Sequence, residues 1–131
     1  MKVSDEMSSV AYCSFLETDT DRTNMYRLRF NAIASKAMRD WLGAYISKTQ
    51  DYVILTPITS ATEMLENKKA FTFYRKRENE LFITVSALVN SNGYLSKRLF
   101  GKRYRIKRDG KGRIYICLNE EVEPDGRCKC K

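Results

Sequence analysis

Histidine is absent from the 131 residues of this chain. Imidazole is the commonest general base near neutral pH and the commonest metal ligand, so its absence removes the usual chemistry of several enzyme classes. Four carboxylates fall on a predicted helix and a charged loop, and none pairs with a recognisable nucleophile (Glu63, Glu66, Glu78 and Glu80). We therefore expect no catalytic residue and no enzymatic activity; a metal-free ribonuclease with a Glu or Tyr base is the least favoured alternative.

Cysteine is scarce, with Cys13, Cys117, Cys128 and Cys130 in the whole chain. This spacing is not that of a disulfide framework, so reduced thiols are expected. The four thiols could bind zinc, but structural zinc sites use Cys pairs roughly two to four residues apart, and the terminal Cys-x-Cys is the one close pair here. The sequence therefore predicts no metal site and no cofactor.

Long hydrophobic runs are also missing. No stretch approaches the roughly 18 apolar residues of a membrane span, and the first residues lead into no apolar core of a signal peptide. We expect a cytoplasmic protein without a membrane partner. Hydrophobic residues make up 43% of the chain, so residues 1–131 are expected to form one domain, with a polar N-terminal segment (1–24) and an acidic tail that ends in Cys-x-Cys (119–131).

Acidic residues are nearly missing from one segment. Between Tyr94 and Tyr115 the chain has nine basic residues and a single acid, Asp109. The rest of the chain has 15 basic and 15 acidic residues, so this segment carries the entire net charge of +8. Positive charge concentrated in this way is typical of proteins that bind a polyanion, above all nucleic acid.

The first half of the chain predicts short strands around one helix. Residues 10–16 favour a strand and residues 18–24 a loop, and the alternation of residues 26–30 places Arg27 and Arg29 opposite three apolar side chains. Apolar residues at 34, 37, 38, 41 and 42 share one face of a helix, with Ser35 as its N-cap and Gly43 after its end. A hairpin of residues 44–47 and 52–56, stopped by Pro57, follows.

The second half begins with a predicted helix over residues 60–67. Ser60 and Glu63 have the spacing of a capping box, and the apolar residues at 61, 64 and 65 share one face behind it. The β-rich runs 70–74 and 81–88 then indicate a hairpin around a charged loop, residues 75–80.

The last part of the chain predicts a turn, a short helix and a final hairpin. The turn covers residues 90–93, and Leu95 and Leu99 mark a helix that stops at Gly101. Residues 102–107 pair with residues 113–118, and Asp109-Gly110 is expected to supply the positive φ angles of the turn between them. Together these elements predict an α+β fold dominated by antiparallel hairpins, with two or three short helices.

The basic segment acquires a definite geometry if residues 102–108 form a strand. Arg103, Arg105 and Lys107 then project from one face, roughly 6.7 Å apart, with Tyr104 and Ile106 on the other. Such a ladder suits a phosphate backbone. A solvated face, or protection of a sheet edge against pairing, is the alternative. The candidate nucleic-acid contacts are Lys97, Arg98, Lys102, Arg103, Arg105, Lys107, Arg108, Lys111, Arg113 and Tyr115.

A weak internal repeat is present. Residues 26–57 and 81–118 share the order strand, short helix ending in Leu and Gly, then hairpin. This order resembles the swapped-hairpin β-barrel DNA-binding family of AbrB-like and MraZ-like bacterial regulators, whose Asp-x-x-Gly-Arg motif is similar to residues 109–113 here. The resemblance implies a barrel of two interlaced tandem units and a DNA contact at Arg113.

The expected function is therefore that of a small nucleic-acid-binding protein. DNA is favoured over RNA as its partner. The favoured role is that of a DNA-binding regulator, with a mobile element as one setting. The pattern is also compatible with a homodimer. The alternative is a protein-binding inhibitor or adaptor that docks its basic face on an acidic surface of a larger protein, such as a nuclease.

Overall fold

The computed structural model of the protein describes residues 10–19, 24–67, 69–77, 80–90 and 93–123. The described residues form one antiparallel sheet of nine strands with short helices on it, which confirms the predicted fold class. The strands are β1 (Tyr12–Asp19), β2 (Asn24–Phe30), β3 (Gly43–Lys48), β4 (Tyr52–Ile58), β5 (Phe71–Thr72), β6 (Tyr74–Arg77), β7 (Glu80–Thr84), β8 (Lys102–Arg108) and β9 (Ile114–Glu121). The helices are α1 (Ala32–Ala37), α2 (Ala61–Glu66), α3 (Ser86–Asn90) and a 3-10 helix (Lys97–Leu99). In this part of the chain no helix is long and apolar enough to cross a membrane.

The sheet is a nearly closed barrel. Its strand order is β5-β3-β4-β9-β8-β1-β2-β7-β6, so the two end strands, β5 and β6, are consecutive in sequence. Phe73 joins them, and its amide donates to the carbonyl of Leu42 (3.1 Å). One chain segment therefore contacts both ends of the sheet, and the inner faces of the strands enclose a single core.

Period-two alternation fills that core as predicted. Tyr26, Leu28 and Phe30 of β2 are buried, as are Tyr104 and Ile106 of β8. Burial of large apolar side chains on one face is the main stabilising contribution to such a sheet.

The first hairpin is longer than predicted. β1 continues through Thr18 and Asp19, which pair with Met25 and Asn24 of β2, so the predicted loop over 18–24 is wrong at both of its ends. Its residues 20–23 lie outside the described part of the chain. The ladder of backbone hydrogen bonds extends beyond the apolar residues because the backbone groups of polar residues pair across an antiparallel ladder as readily as those of apolar residues.

The first helix begins earlier than predicted and is capped by a different residue. Asn31 is the N-cap of α1, and its side-chain oxygen accepts from the amide of Ala34 (3.1 Å). Ser35 is buried inside the helix, where its hydroxyl donates to the Phe30 carbonyl (3.0 Å). The helix ends at Ala37, so Trp41 and Leu42 lie beyond it and do not share its face; Trp41 is buried, whereas Leu42 is 41% exposed.

The hairpin of β3 and β4 is confirmed, but Pro57 does not stop it. Pro57 lies within β4 opposite Ala44, and the strand ends at Ile58.

The helix over 60–67 is confirmed as α2, with Ser60 accepting from the Glu63 amide (3.3 Å). Its predicted apolar face is not buried, since Leu65 is 88% exposed.

The run over residues 81–88 is a strand only as far as Thr84. Val85 is buried at the start of a turn, and α3 begins at Ser86, whose hydroxyl accepts from the amide of Tyr26 (3.0 Å).

The β6–β7 hairpin is confirmed, but its strands include most of the predicted loop, because β6 runs to Arg77 and β7 begins at Glu80. The preceding β5 pairs with β3 instead.

The sequence predicts a turn at residues 90–93, but Asn90 is still the last residue of α3. Residues 91–92 lie outside the described ranges, and Gly93 has a positive φ of 64°. The short helix around Leu95 and Leu99 is a 3-10 turn followed by Gly101 at φ 91°, and Leu95 is buried.

The final hairpin is confirmed, with two corrections. Its positive φ lies at Gly112 (83°), not at Gly110. β9 also continues to Glu121, so the predicted tail is wrong for residues 119–121, whereas residues 124–131 lie outside the described ranges. The strand thus extends past its last apolar residue, Leu118, and Val122, just after the strand, is again buried.

The two halves of the chain meet in four strand pairs. β2 pairs with β7, and β4 pairs with β9, both antiparallel. β1 also pairs with β8, and β5 pairs with β3.

Candidate nucleic-acid interface

The outer face of β8 carries the predicted cation ladder. Arg103, Arg105 and Lys107 point away from the core, while Tyr104 (2% exposed) and Ile106 (8%) point into it. β8 has seven residues, so this ladder lies on a strand of about 20 Å.

Carboxylates of β9 lie against this ladder. Glu120 lies 3.5 Å from Arg105 Nη1 and 3.1 Å from Lys107 Nζ, and Glu121 lies 3.7 Å from Lys102 Nζ. The hydrogen bond with Lys107 lowers the pKa of Glu120 and raises the pKa of Lys107. Sequence reasoning missed both acids because it assigned them to the tail, and the apolar alternation that starts at Ile114 ends at Leu118, before either acid.

The β8–β9 turn holds Arg113 internally. Its Nε lies 2.7 Å from Asp109 Oδ2, and its guanidinium carbon lies 5.7 Å from the centre of the Tyr115 ring. Desolvation raises the pKa of Asp109, but hydrogen bonds from Arg113 and from the Lys111 amide outweigh it and hold that pKa below its usual value. Arg113 therefore fixes the turn, and a ligand must compete with Asp109 for it.

The other predicted contacts lie at the ends of β8. Lys97 and Arg98 are exposed on the 3-10 helix that precedes it, Arg108 is its exposed last residue, and Lys111 is exposed in the turn. Within the described ranges none of these four forms an ion pair.

Tyr115 is half-buried. Its ring meets Tyr52 edge-on at 5.5 Å, and its strand position faces Lys107.

A second set of outward side chains, missed by sequence reasoning, continues from β8 across four more strands. The register places Arg103, Ser14, Arg29, Phe82 and Tyr74 side by side on β8, β1, β2, β7 and β6. We call these five residues the arginine–aromatic row. The alternation in residues 26–30 did place Arg29 outward, but nothing in the sequence indicated that β1 would lie between β2 and β8.

Aromatic rings accompany the arginines of this face. The guanidinium of Arg103 lies 6.0 Å from the Tyr12 ring, and that of Arg27 lies 5.4 Å from the Phe82 ring. Tyr74 stacks on Phe82, with centroids 5.7 Å apart and an angle of 26° between the planes. The guanidinium charges are thus held against rings at defined positions.

The two described cysteines are core residues. Cys13 is fully buried, and desolvation raises the pKa of its thiol; the same cause raises the pKa of Cys117 to about 11. Neither is a ready thiolate ligand. Across the described ranges no three Cys, Asp or Glu side chains are placed to hold a metal ion, and Cys128 and Cys130 lie outside those ranges.

Comparison of the chain with protein-family models, curated proteins and solved structures finds no match.

Proposed function

We propose that this protein binds nucleic acid by its phosphate backbone, with Arg103, Arg105 and Lys107 as the principal contacts, and that it acts as a regulator without catalysis. The observation that carries the proposal is the regular placement of these three cations on one outward strand face. Lys97, Arg98, Arg108 and Lys111 extend the positive surface at the two ends of that strand.

The ion pairs with β9 do not block this role. The paired side chains of Arg105 and Lys107 are 44% and 51% exposed. Exposed pairs of this kind contribute little to stability, so a phosphate that releases condensed counterions can displace Glu120.

DNA is the nucleic acid that the topology favours. In each half, a hairpin, a helix and a second hairpin follow one another, and the halves pair through β2–β7 and β4–β9. We propose that these are two interlaced tandem units, similar to the swapped-hairpin DNA-binding family. Duplex DNA is accordingly the first ligand to test, and a homodimer would double the surface.

The second candidate is a protein-binding inhibitor or adaptor. The observation that favours it is the mixture of signs on the face, where Glu120 and Glu121 lie among the cations. Alternating charges are suited to a complementary protein surface, which they orient and select.

Binding as a function of salt separates the two candidates. With four or five phosphate contacts, the affinity for labelled DNA is expected to fall with salt at a log–log slope of about −4, at roughly −0.9 per phosphate. Titration of fluorescent DNA at several salt concentrations measures the slope. If no DNA or RNA binds at about 50 mM salt, where attraction is strongest, nucleic-acid binding is rejected and the inhibitor function replaces it.

Removal of the Glu120 charge is expected to strengthen binding. In Glu120→Gln, Arg105 and Lys107 lose their competing carboxylate, so the affinity for DNA should rise several-fold at low salt. Glu66→Gln, an exposed change on α2, is the matched control and should have no effect.

The same variant has a pH signature. Because the folded-state pKa of Glu120 is lowered, its ion pairs stabilise the fold above the unfolded-state pKa and are lost as pH falls through the folded value. As pH falls through the folded-state pKa of Glu120, the DNA affinity of the native protein should rise and approach the affinity of Glu120→Gln. Equal pH profiles for the two proteins would contradict a competing role for Glu120.

A further inference from the structure

The arginine–aromatic row is a continuous line of side chains on one outer surface. The Cα atoms of register partners on neighbouring strands lie about 4.8 Å apart. Arg103 and Arg29 are two strands apart, so their Cα atoms are separated by about 10 Å, and the same holds for Arg29 and Tyr74. Ser14, a small residue that is 8% exposed, lies between the two arginines. Cations occupy one end and the middle of the row, and rings occupy the other end.

The aromatic end is a stack with an open last member. Arg27 packs on Phe82, Phe82 stacks on Tyr74, and Tyr74 is 51% exposed. A large ring with half of its surface in water adds little to the core, which lies on the opposite face of β6 and β7. A further flat ring placed on Tyr74 would lengthen the stack and cover that surface.

The cationic part of the row is accessible. The Arg29 side chain is 55% exposed and its Nε lies 3.6 Å from Glu80, a contact weak enough to be exchanged. A cavity of about 100 Å³ opens between the cations and the ring, lined by Leu16, Arg27, Arg29, Glu80 and Phe82.

We infer that the row binds single-stranded nucleic acid: the backbone contacts Arg103 and Arg29, and an unpaired base stacks on Tyr74. The inference rests on the proposed function and adds an unpaired strand as a ligand beside the duplex. Within a duplex both faces of each interior base are covered by neighbouring bases, so away from the duplex ends only an unpaired base presents a ring face to Tyr74. A cationic track with exposed aromatic rings is the arrangement by which proteins hold single strands without reading their sequence.

The test compares oligothymidylate, which forms no duplex with itself, with a duplex of mixed sequence. Tyr74→Ala should weaken binding of oligothymidylate on the order of tenfold or more, because one stacked base is lost, and leave duplex binding within about twofold. Tyr74→Phe should bind as the native protein does, since it keeps the ring. Tyr94→Ala, at another exposed tyrosine that borders a separate cavity, is the control and should have no effect.

Folding is checked by thermal unfolding of each variant. If Tyr74→Ala unfolds, Tyr74→Leu replaces it, because leucine covers Phe82 but has no ring face; it should lose oligothymidylate affinity as well.

The outcomes separate this inference from the function on which it rests. Oligothymidylate affinity that is unchanged in folded Tyr74→Ala and Tyr74→Leu, with salt-dependent binding intact, overturns base stacking and leaves phosphate binding in place. If the native protein binds neither oligothymidylate nor the duplex, both base stacking and the proposed nucleic-acid-binding function are overturned.

Discussion

Replacing Arg103, Arg105 and Lys107 together with alanine is expected to weaken nucleic-acid binding several hundredfold or more at about 0.1 M salt. Each phosphate contact contributes roughly 0.9 to the magnitude of the log–log salt slope. Between about 1 M and 0.1 M salt, one contact therefore raises the affinity by almost tenfold, and the loss of three contacts removes three such factors. The slope itself should become less negative by about 2.7, since three contacts are removed. Titrations of labelled DNA at several salt concentrations give both quantities.

The matched control removes the same charge elsewhere. Alanine at Lys36, Arg39 and Lys48 also deletes three cations, on α1, after α1 and on β3. If net charge alone governed binding, both triple variants would lose affinity equally; the proposed interface requires the β8 variant to lose far more. Because phosphate contacts carry no base information, the loss should be the same for every DNA sequence.

Truncation of Trp41 should have the largest effect on stability. Trp41 is 8% exposed and stacks on Phe73, with centroids 5.8 Å apart and planes 10° from parallel. Phe73 also contacts Phe30, at 5.9 Å between ring centres, and joins the two end strands of the sheet. Trp41→Ala is expected to reduce the free energy of unfolding by about 3–5 kcal/mol, as large aromatic truncations in cores do.

The neighbouring residue provides the comparison for Trp41. Leu42 is 41% exposed, so Leu42→Ala should change the free energy of unfolding by less than about 1 kcal/mol. Urea denaturation followed by circular dichroism measures both variants. Equal losses, or no loss for Trp41→Ala, would contradict the assignment of Trp41 to the closure of the barrel.

The sequence by itself determined which side chains share a face within a strand. Alternation placed Leu28 in the core with Arg29 outside, and placed Tyr104 and Ile106 in the core opposite the β8 cations. These predictions succeed because the pleat of a strand is a local property with a period of two, independent of what the strand pairs with. The capping serine of α2 was likewise predictable from adjacent residues.

Only the tertiary structure decided which strands became neighbours, and with them the composition of the surface. β1 lies between β2 and β8, which brings Arg29 into one row with Arg103, and the long β9 brings Glu120 to Arg105 and Lys107. Helix α1 begins at Ala32, after its N-cap Asn31, and the Asn31 side chain is held there by a further hydrogen bond that it accepts from the amide of Tyr12, a residue far away in sequence. Such pairings depend on burying apolar faces from distant segments in one closed core, and no local pattern of residues records which distant segment that will be.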